Sequence, residues 1–252
     1  MIEFAPVTRL GLLLVRPGFL VMAVPAFGSG FAPPVVRIGL MVALSLLLMP
    51  FVALPDQLPP AGLAVVVARE AIIGLSLAMA VRVLIAATEL AGNAMGFNMG
   101  FFLAAVVDPQ SGVQNKVLSA AYATFALVVF FAIDGHHAVL RALAASYDIL
   151  PVGIGRIDGP IAAIVGRLLG VVFLLGVQLA APVLVVLFVV ELALGLMSRL
   201  APQMNLMMLG MPLRVAIGLT VMASTLHLVP RLLASTLGTT LELSERLARA
   251  FQ

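Results

Sequence analysis

Arginine and glutamate recur inside runs of apolar residues long enough to cross a bilayer, and this conflict limits what the chain can fold into. Arg16, Arg69, Glu70, Arg82, Glu89, Arg167, Glu191, Arg199, Arg214 and Arg231 interrupt or flank such runs. A charge left facing hydrocarbon costs about 2.5–3.5 kcal/mol on insertion scales, so several of these groups must face protein or water. The pattern predicts one component of a polar-centred membrane assembly.

Composition removes the soluble alternatives. Of 252 residues, 63% are hydrophobic and 10% charged, with a mean hydropathy of +1.20. A soluble domain of this length cannot bury that much apolar surface behind a charged exterior. The net charge of +3 does not indicate nucleic acid, because no Lys/Arg cluster exists and Lys116 is the only lysine. Cysteine is absent, which excludes a disulfide framework, a thiolate nucleophile and iron–sulfur ligation. The start, Met1-Ile2-Glu3-Phe4, lacks the basic region of a cleaved signal, so an uncleaved first span is expected.

About 20 apolar residues cross the hydrocarbon core as a helix. By that measure residues 10–27 and 35–54 are the first two candidates, separated by a Gly/Pro stretch at 28–34. Residues 63–90 carry Arg69, Glu70, Arg82 and Glu89; the uncharged centre, 71–81, is too short for a lipid-facing span, so protein should cover this helix. Arg82 and Glu89 lie seven apart on one helix face. Residues 91–107 hold Asn93, Asn98 and three glycines and end at Asp108-Pro109, which reads as a re-entrant or gating element. Residues 116–133 make a further span, 141–158 an interfacial section, and 161–200 a long run in which Pro182 should kink the helix and Gln178 needs a partner. The last apolar section, 206–237, leads into an amphipathic tail at 241–252. The expectation is an all-α integral membrane protein, a single domain over 1–252 with about six hydrophobic helical segments. Arginines lie near nearly every turn, so positive-inside counting leaves orientation open.

Gly92, Gly96 and Gly100 form two overlapping GxxxG spacings, a strip on which another backbone can approach closely. Met95 and Met99 flank it, with Phe97, Phe101 and Phe102 nearby. Two readings stand: ordinary helix packing, or a deformable seal in which flexible methionines fill gaps and glycines permit movement. Glu70, Glu89 and Glu191 offer a proton relay, while Arg69, Arg82 and Arg199 offer structural partners, and structural pairing is the simpler reading. His136 and His137 make a poor metal site on ligand count, since adjacent helical residues diverge and the remaining histidine is His227. No phosphate-binding loop, zinc-protease helix or serine nucleophile elbow is present, so no catalytic residue, metal or cofactor is assigned. A secondary transporter, with broken helices and midplane charges, remains the runner-up on residues alone.

Several stretches, in order, resemble the FliR family of type III secretion export-apparatus proteins. They are Arg16-Pro17-Gly18, Pro25-x-Phe27-Gly28 with 33–37 behind it, Arg69-Glu70 with Gly74, and Ala91-Gly92 leading into Asp108-Pro109-Gln110-Ser111. Then come Asp134-Gly135-His136-His137 with Ser146 and Pro151, and Pro202-Gln203-Met204-Asn205 with Gly210 and Pro212. The resemblance covers nearly the whole chain. It implies a non-enzymatic subunit of the export gate at the flagellar basal body in the bacterial inner membrane, passing unfolded flagellar proteins. It further implies FliP-like, FliQ-like and FlhB-like partners, helices arranged as kinked hairpins within the larger gate, and a plug corresponding to residues 91–115. The segment Asp134 to His137 is closer to the flagellar branch than to the virulence secretion systems, which are the alternative within the family. On this reading the plug or gating residues are Gly92, Met95, Gly96, Phe97, Met99, Gly100, Phe101, Phe102, Asp108 and Pro109. The intramembrane polar set is Arg69, Glu70, Arg82, Glu89, Gln178, Glu191 and Arg199, and Pro202, Gln203 and Asn205 shape a partner-contact turn.

Overall fold

The computed structural model describes residues 5–27, 33–52, 60–101, 116–152, 161–201 and 206–250. Among them every regular element is helical: α1 (Ala5–Ala23), α2 (Pro34–Leu48), α3 (Pro60–Met99), α4 (Lys116–Ala132), α5 (Gly135–Ile149), α6 (Ile161–Leu200), α7 (Leu206–Thr225) and α8 (Val229–Arg249), with short 3-10 turns at Pro25–Phe27 and Leu226–Leu228. In an apolar environment the helix is the natural outcome, because it satisfies backbone hydrogen bonds within one segment.

Among the described residues, three stretches are long and apolar enough to cross a membrane: Leu63–Met99, Ile161–Leu200 and Gly210–Arg249. The pair Val117–Ala132 and Gly135–Ile149 passes the same test together, and Leu10–Ala23 and Pro34–Leu48 are shorter apolar helices. The most apolar window of the first stretch is 67% buried, against 33% and 11% for the other two. Protein therefore covers the charged helix α3, whereas α6 and α7 present much of their apolar surface outward.

The chain divides into two compact units, one made of residues 1–83, 134–170 and 236–252, the other of 84–133 and 171–235. In the first unit α1 packs on α2. Its core takes Leu13 and Leu20 from α1, Ile73 and Leu77 from α3, Leu143 from α5 and Leu168 from α6. Ile73, Leu150 and Ala248 form one buried cluster with Ile149 against it, which seats the C-terminal part of α8. That part is amphipathic, with Thr240, Leu243, Ser244 and Leu247 buried and Glu242 and Arg246 exposed. The second unit has Leu84, Met95 and Met99 of α3, Phe130 of α4, Leu175 and Val183 of α6 and Leu233 of α8 in its core.

One helix runs further than its sequence suggests. α3 continues without interruption to Met99, where a re-entrant element was expected from residue 91. The amide of Asn98 donates to the Ala94 carbonyl one turn earlier at 2.8 Å, so it is satisfied inside the helix and does not break it. α6 fills the expected run 161–200, with Pro182 inside it. Gly100, at φ 92, ends α3. Its N–H donates to Phe97 O at 3.1 Å and that of Phe101 to Gly96 O at 3.1 Å, the bonding of a left-handed glycine helix end.

Candidate functional site

The first unit is built around a buried arginine. Pro17 lies one residue after Arg16 inside α1 and has no N–H, so the carbonyl of Leu13 loses its helical donor. The Tyr147 hydroxyl of α5 donates to that carbonyl at 3.4 Å, and the Ser45 hydroxyl of α2 approaches it at the same distance. Ser45 directs its one proton mainly to Met41 O at 2.8 Å, which leaves Tyr147 as the main donor. The proline break thus binds α1 to α5.

Arg16, also on α1, reaches α3 and α5. Its Nε donates to Glu70 Oε2 at 2.7 Å and Nη2 to Glu70 Oε1 at 3.1 Å. Nη1 donates to Ser146 Oγ at 2.9 Å, and Nη2 also donates to Leu150 O at 2.9 Å. Ser146 Oγ in turn donates to Leu143 O at 2.6 Å. The ring of Tyr147 lies 4.1 Å from Arg16 Cζ, a cation–π contact. Arg16 and Glu70 side chains are 0% and 2% exposed. Such a pair is tolerable only because its donors and acceptors are matched and bidentate; removing either partner strands a charge. The approach of α1 to α3 depends on Gly74, where a Cβ would sit 2.5 Å from Arg16 O.

In the second unit the glycine strip lies in close helix contact. A Cβ on Gly92 would lie 2.5 Å from Ser119 Cα and 3.0 Å from Ser119 N, so α3 and α4 touch backbone to backbone there. Gly96 faces Leu118 at ordinary contact distance. Met99 is fully buried, and its side chain occupies the space where Gly218 of α7 lacks a Cβ, the nearest atom being 2.6 Å from that position. Met211 stands 3.5 Å from the corresponding position at Gly100. Met95, Gly96 and Met99 are thus interior, while Phe97 is 62% exposed and Phe101 is also exposed. Phe102, Asp108 and Pro109 lie outside the described residues, as do Pro202, Gln203 and Asn205.

Of the polar residues expected within the membrane, two glutamates form ion pairs with arginines from other helices. Glu70 is paired with Arg16, and Glu191 with Arg214 at 3.1 Å, both half-exposed. Arg69 is partly buried; Glu89, Gln178 and Arg199 are exposed. Arg82, also exposed, donates from Nε to Ala23 O at 2.7 Å and so caps the end of α1. Arg16, Ser146 and Tyr147 complete the buried node around Glu70, and sequence reasoning assigned none of them to it. The signal for Arg16 was a charge beside a proline in an apolar run; Ser146 and Tyr147 carry no comparable signal.

A third grouping opens α5. Asp134 adopts φ 58, ψ 27, and its Oδ1 lies 3.1 Å from His137 Nδ1. The His136 and His137 rings have centroids 4.1 Å apart. One ligand atom from each of the three side chains falls within 4.8 Å of the other two.

Known proteins match this chain over most of its length. The family described as "Bacterial export proteins, family 1" matches residues 7–240. Flagellar biosynthetic protein FliR of Bacillus subtilis (strain 168) is 31% identical over 212 residues, 82% of this chain and 81% of that protein. The protein of the same name from Escherichia coli (strain K12) is 28% identical over 217 residues, 86% of this chain and 83% of its own length. The Surface presentation of antigens protein SpaR of Shigella sonnei is 31% identical over 140 residues, 54% of this chain and 53% of that protein. With the match running from α1 into α8, this all-helical, membrane-type chain belongs to the family of bacterial export proteins, family 1.

Proposed function

We propose that this chain is a structural and gating subunit of the flagellar type III protein export gate, embedded in the bacterial inner membrane and helping to form the channel for unfolded flagellar proteins. The carrying observation is the family match over residues 7–240, together with FliR relatives aligned over most of both chains. The relatives from the virulence branch align over about half the chain, which favours the flagellar assignment.

The physical character of the helices supports an assembled role. α6 leaves Phe173, Leu174, Phe188, Leu192 and Leu196 exposed, a face made for lipid or other apolar helices. Glu191 lies on the same helix and forms a half-exposed ion pair with Arg214. Ions at that position need protein or water rather than hydrocarbon around them. FliP-like and FliQ-like subunits, with an FlhB-like protein, are the partners this reading assigns, and the chain acts without catalysing a reaction.

The plug belongs to residues 91–115. Its described beginning is the end of α3, where Met95 and Met99 are packed and Gly100 turns the chain. Co-expression with FliP and FliQ homologues, purification through a tag on one partner, and mass measurement of the intact complex test the reading. A stable complex containing all three is expected. Recovery of this chain alone as a monodisperse, transport-competent monomer would overturn it in favour of a secondary transporter.

A further inference from the structure

The start of α5 holds chemistry that the export reading does not use. Asp134, His136 and His137 lie within one turn, and their ligand atoms fall within 4.8 Å of one another. The expectation from sequence that adjacent histidines diverge does not describe this turn, because their rings stand 4.1 Å apart with an interplanar angle of 36°. The third donor, a carboxylate, comes from outside the helix. Asp134 takes a left-handed backbone conformation, one that Asp and Asn tolerate better than other side-chain-bearing residues.

We infer that Asp134, His136 and His137 form a binding site for a borderline divalent transition-metal ion of the Zn2+ class, with water completing its coordination. The donor set selects the ion. Two imidazoles and a carboxylate suit Zn2+, Co2+ or Ni2+, whereas Mg2+ and Ca2+ favour all-oxygen shells and Cu(I) favours sulfur. No cysteine exists to compete.

The backbone beneath the donors is hydrogen-bonded and the outer donors are exposed. The N–H groups of His137 and Ala138 donate to Asp134 O at 3.0 and 3.2 Å, and Gly135 and Val139 are buried. Asp134 and His137 side chains are 71% and 57% exposed. Zinc–ligand bonds of about 2.0–2.2 Å place tetrahedral donors roughly 3.4 Å apart, so the set must contract by side-chain rotation. The exposed pair supplies that rotation without moving the helix. Since all three donors come from four consecutive residues, ligation orders little additional chain. Bound metal would hold the left-handed turn that opens α5.

The site stands independently of the export assignment. Its test uses the full chain in detergent, purified through a histidine-free tag and titrated with Co2+ as a spectroscopic probe, then with Zn2+ in competition. One Co2+ per chain is expected, with visible ligand-field bands that Zn2+ abolishes. Asp134→Asn, which keeps a residue tolerant of the left-handed turn, and His137→Asn should each weaken binding by more than about tenfold. His227→Asn serves as the control and should leave affinity unchanged, because that imidazole lies outside the turn and contacts Ser224 O at 2.8 Å. Size-exclusion and helix content establish that each variant is folded. No saturable Co2+ binding, or equal binding by the unmodified chain and the folded His137→Asn variant, would overturn the proposal.

Discussion

The guanidinium of Arg16 grips the carboxylate of Glu70 through two hydrogen bonds, at 2.7 and 3.1 Å, across 54 residues of sequence and with both side chains shut away from solvent. The pair joins α1 to α3, and the further bonds to Ser146 and Leu150 extend it to α5.

Glu70→Gln leaves Arg16 buried with its charge uncompensated, and the expected loss of stability is about 3–5 kcal/mol. Arg16→Met combined with Glu70→Leu removes both ions and should recover most of that loss, because well-packed apolar replacements of a buried pair are often neutral. Thermal unfolding in detergent, followed by circular dichroism, reads both. A Glu70→Gln protein that melts with the unmodified chain would show that the node contributes nothing to the fold.

Glycine positions separate by what a methyl group would meet. Gly74→Ala drives a Cβ toward Arg16 O and Gly92→Ala drives one toward Ser119 Cα, both backbone atoms that cannot rotate away. Each should destabilise by about 1–3 kcal/mol, as overpacking does. Gly238 lies in α8 with open space around its position. There Gly→Ala should be neutral or stabilising by up to about 1 kcal/mol through helix propensity. The reverse ranking in unfolding measurements would contradict the close helix approaches.

The glycine strip and the need for protein around α3 were both legible in the sequence, because each depends on spacing within one helix. Partner identity was not. A helix face relates residues three, four or seven apart, so local reasoning offered Arg69, Arg82 and Arg199 as partners for Glu70, Glu89 and Glu191 without reaching Arg16 or Arg214. The actual partners, Arg16 and Arg214, come from other helices, 54 and 23 positions away. The extent of α3 was misjudged for a related reason: Asn98 looked like an interruption, yet an asparagine that bonds to the carbonyl four residues back stays within the helix. Nor does the line of aromatic residues after Met95 sort itself by burial until the fold is known, with Phe97 exposed and Met99 enclosed.

Met99→Ala empties the space against Gly218 and should cost about 2–5 kcal/mol in the second unit, the range for deleting a buried methionine side chain. In the assembled gate it should also raise ion leakage, since Met99 lies within the proposed plug, residues 91–115. Met99→Leu keeps most of the volume and should leave both properties nearly unchanged. Conductance of cells or vesicles carrying the complex, measured beside the unfolding midpoint, tests the two effects together. Loss of stability with unchanged leakage would separate the helix end from gating.

Arg214→Leu distinguishes a fold contact from an assembly contact. The Glu191–Arg214 pair is 46% and 31% exposed, and an exposed ion pair contributes only about 0–1 kcal/mol, so the isolated chain should lose little stability. In an assembly the same substitution leaves Glu191 among the apolar residues of α6 without its cation, at a surface where neighbouring subunits are proposed to pack. Charged groups stranded at an interface cost more than charged groups in water. The expected result is a near-normal unfolding midpoint for the chain alone and a marked fall in recovery with FliP-like and FliQ-like partners. Exchanging the two charges, Glu191→Arg with Arg214→Glu, should restore part of that recovery if the pair itself carries the effect. An equal loss in both assays would make Arg214 a residue of the fold, and no loss in either would place the partner contact on another face.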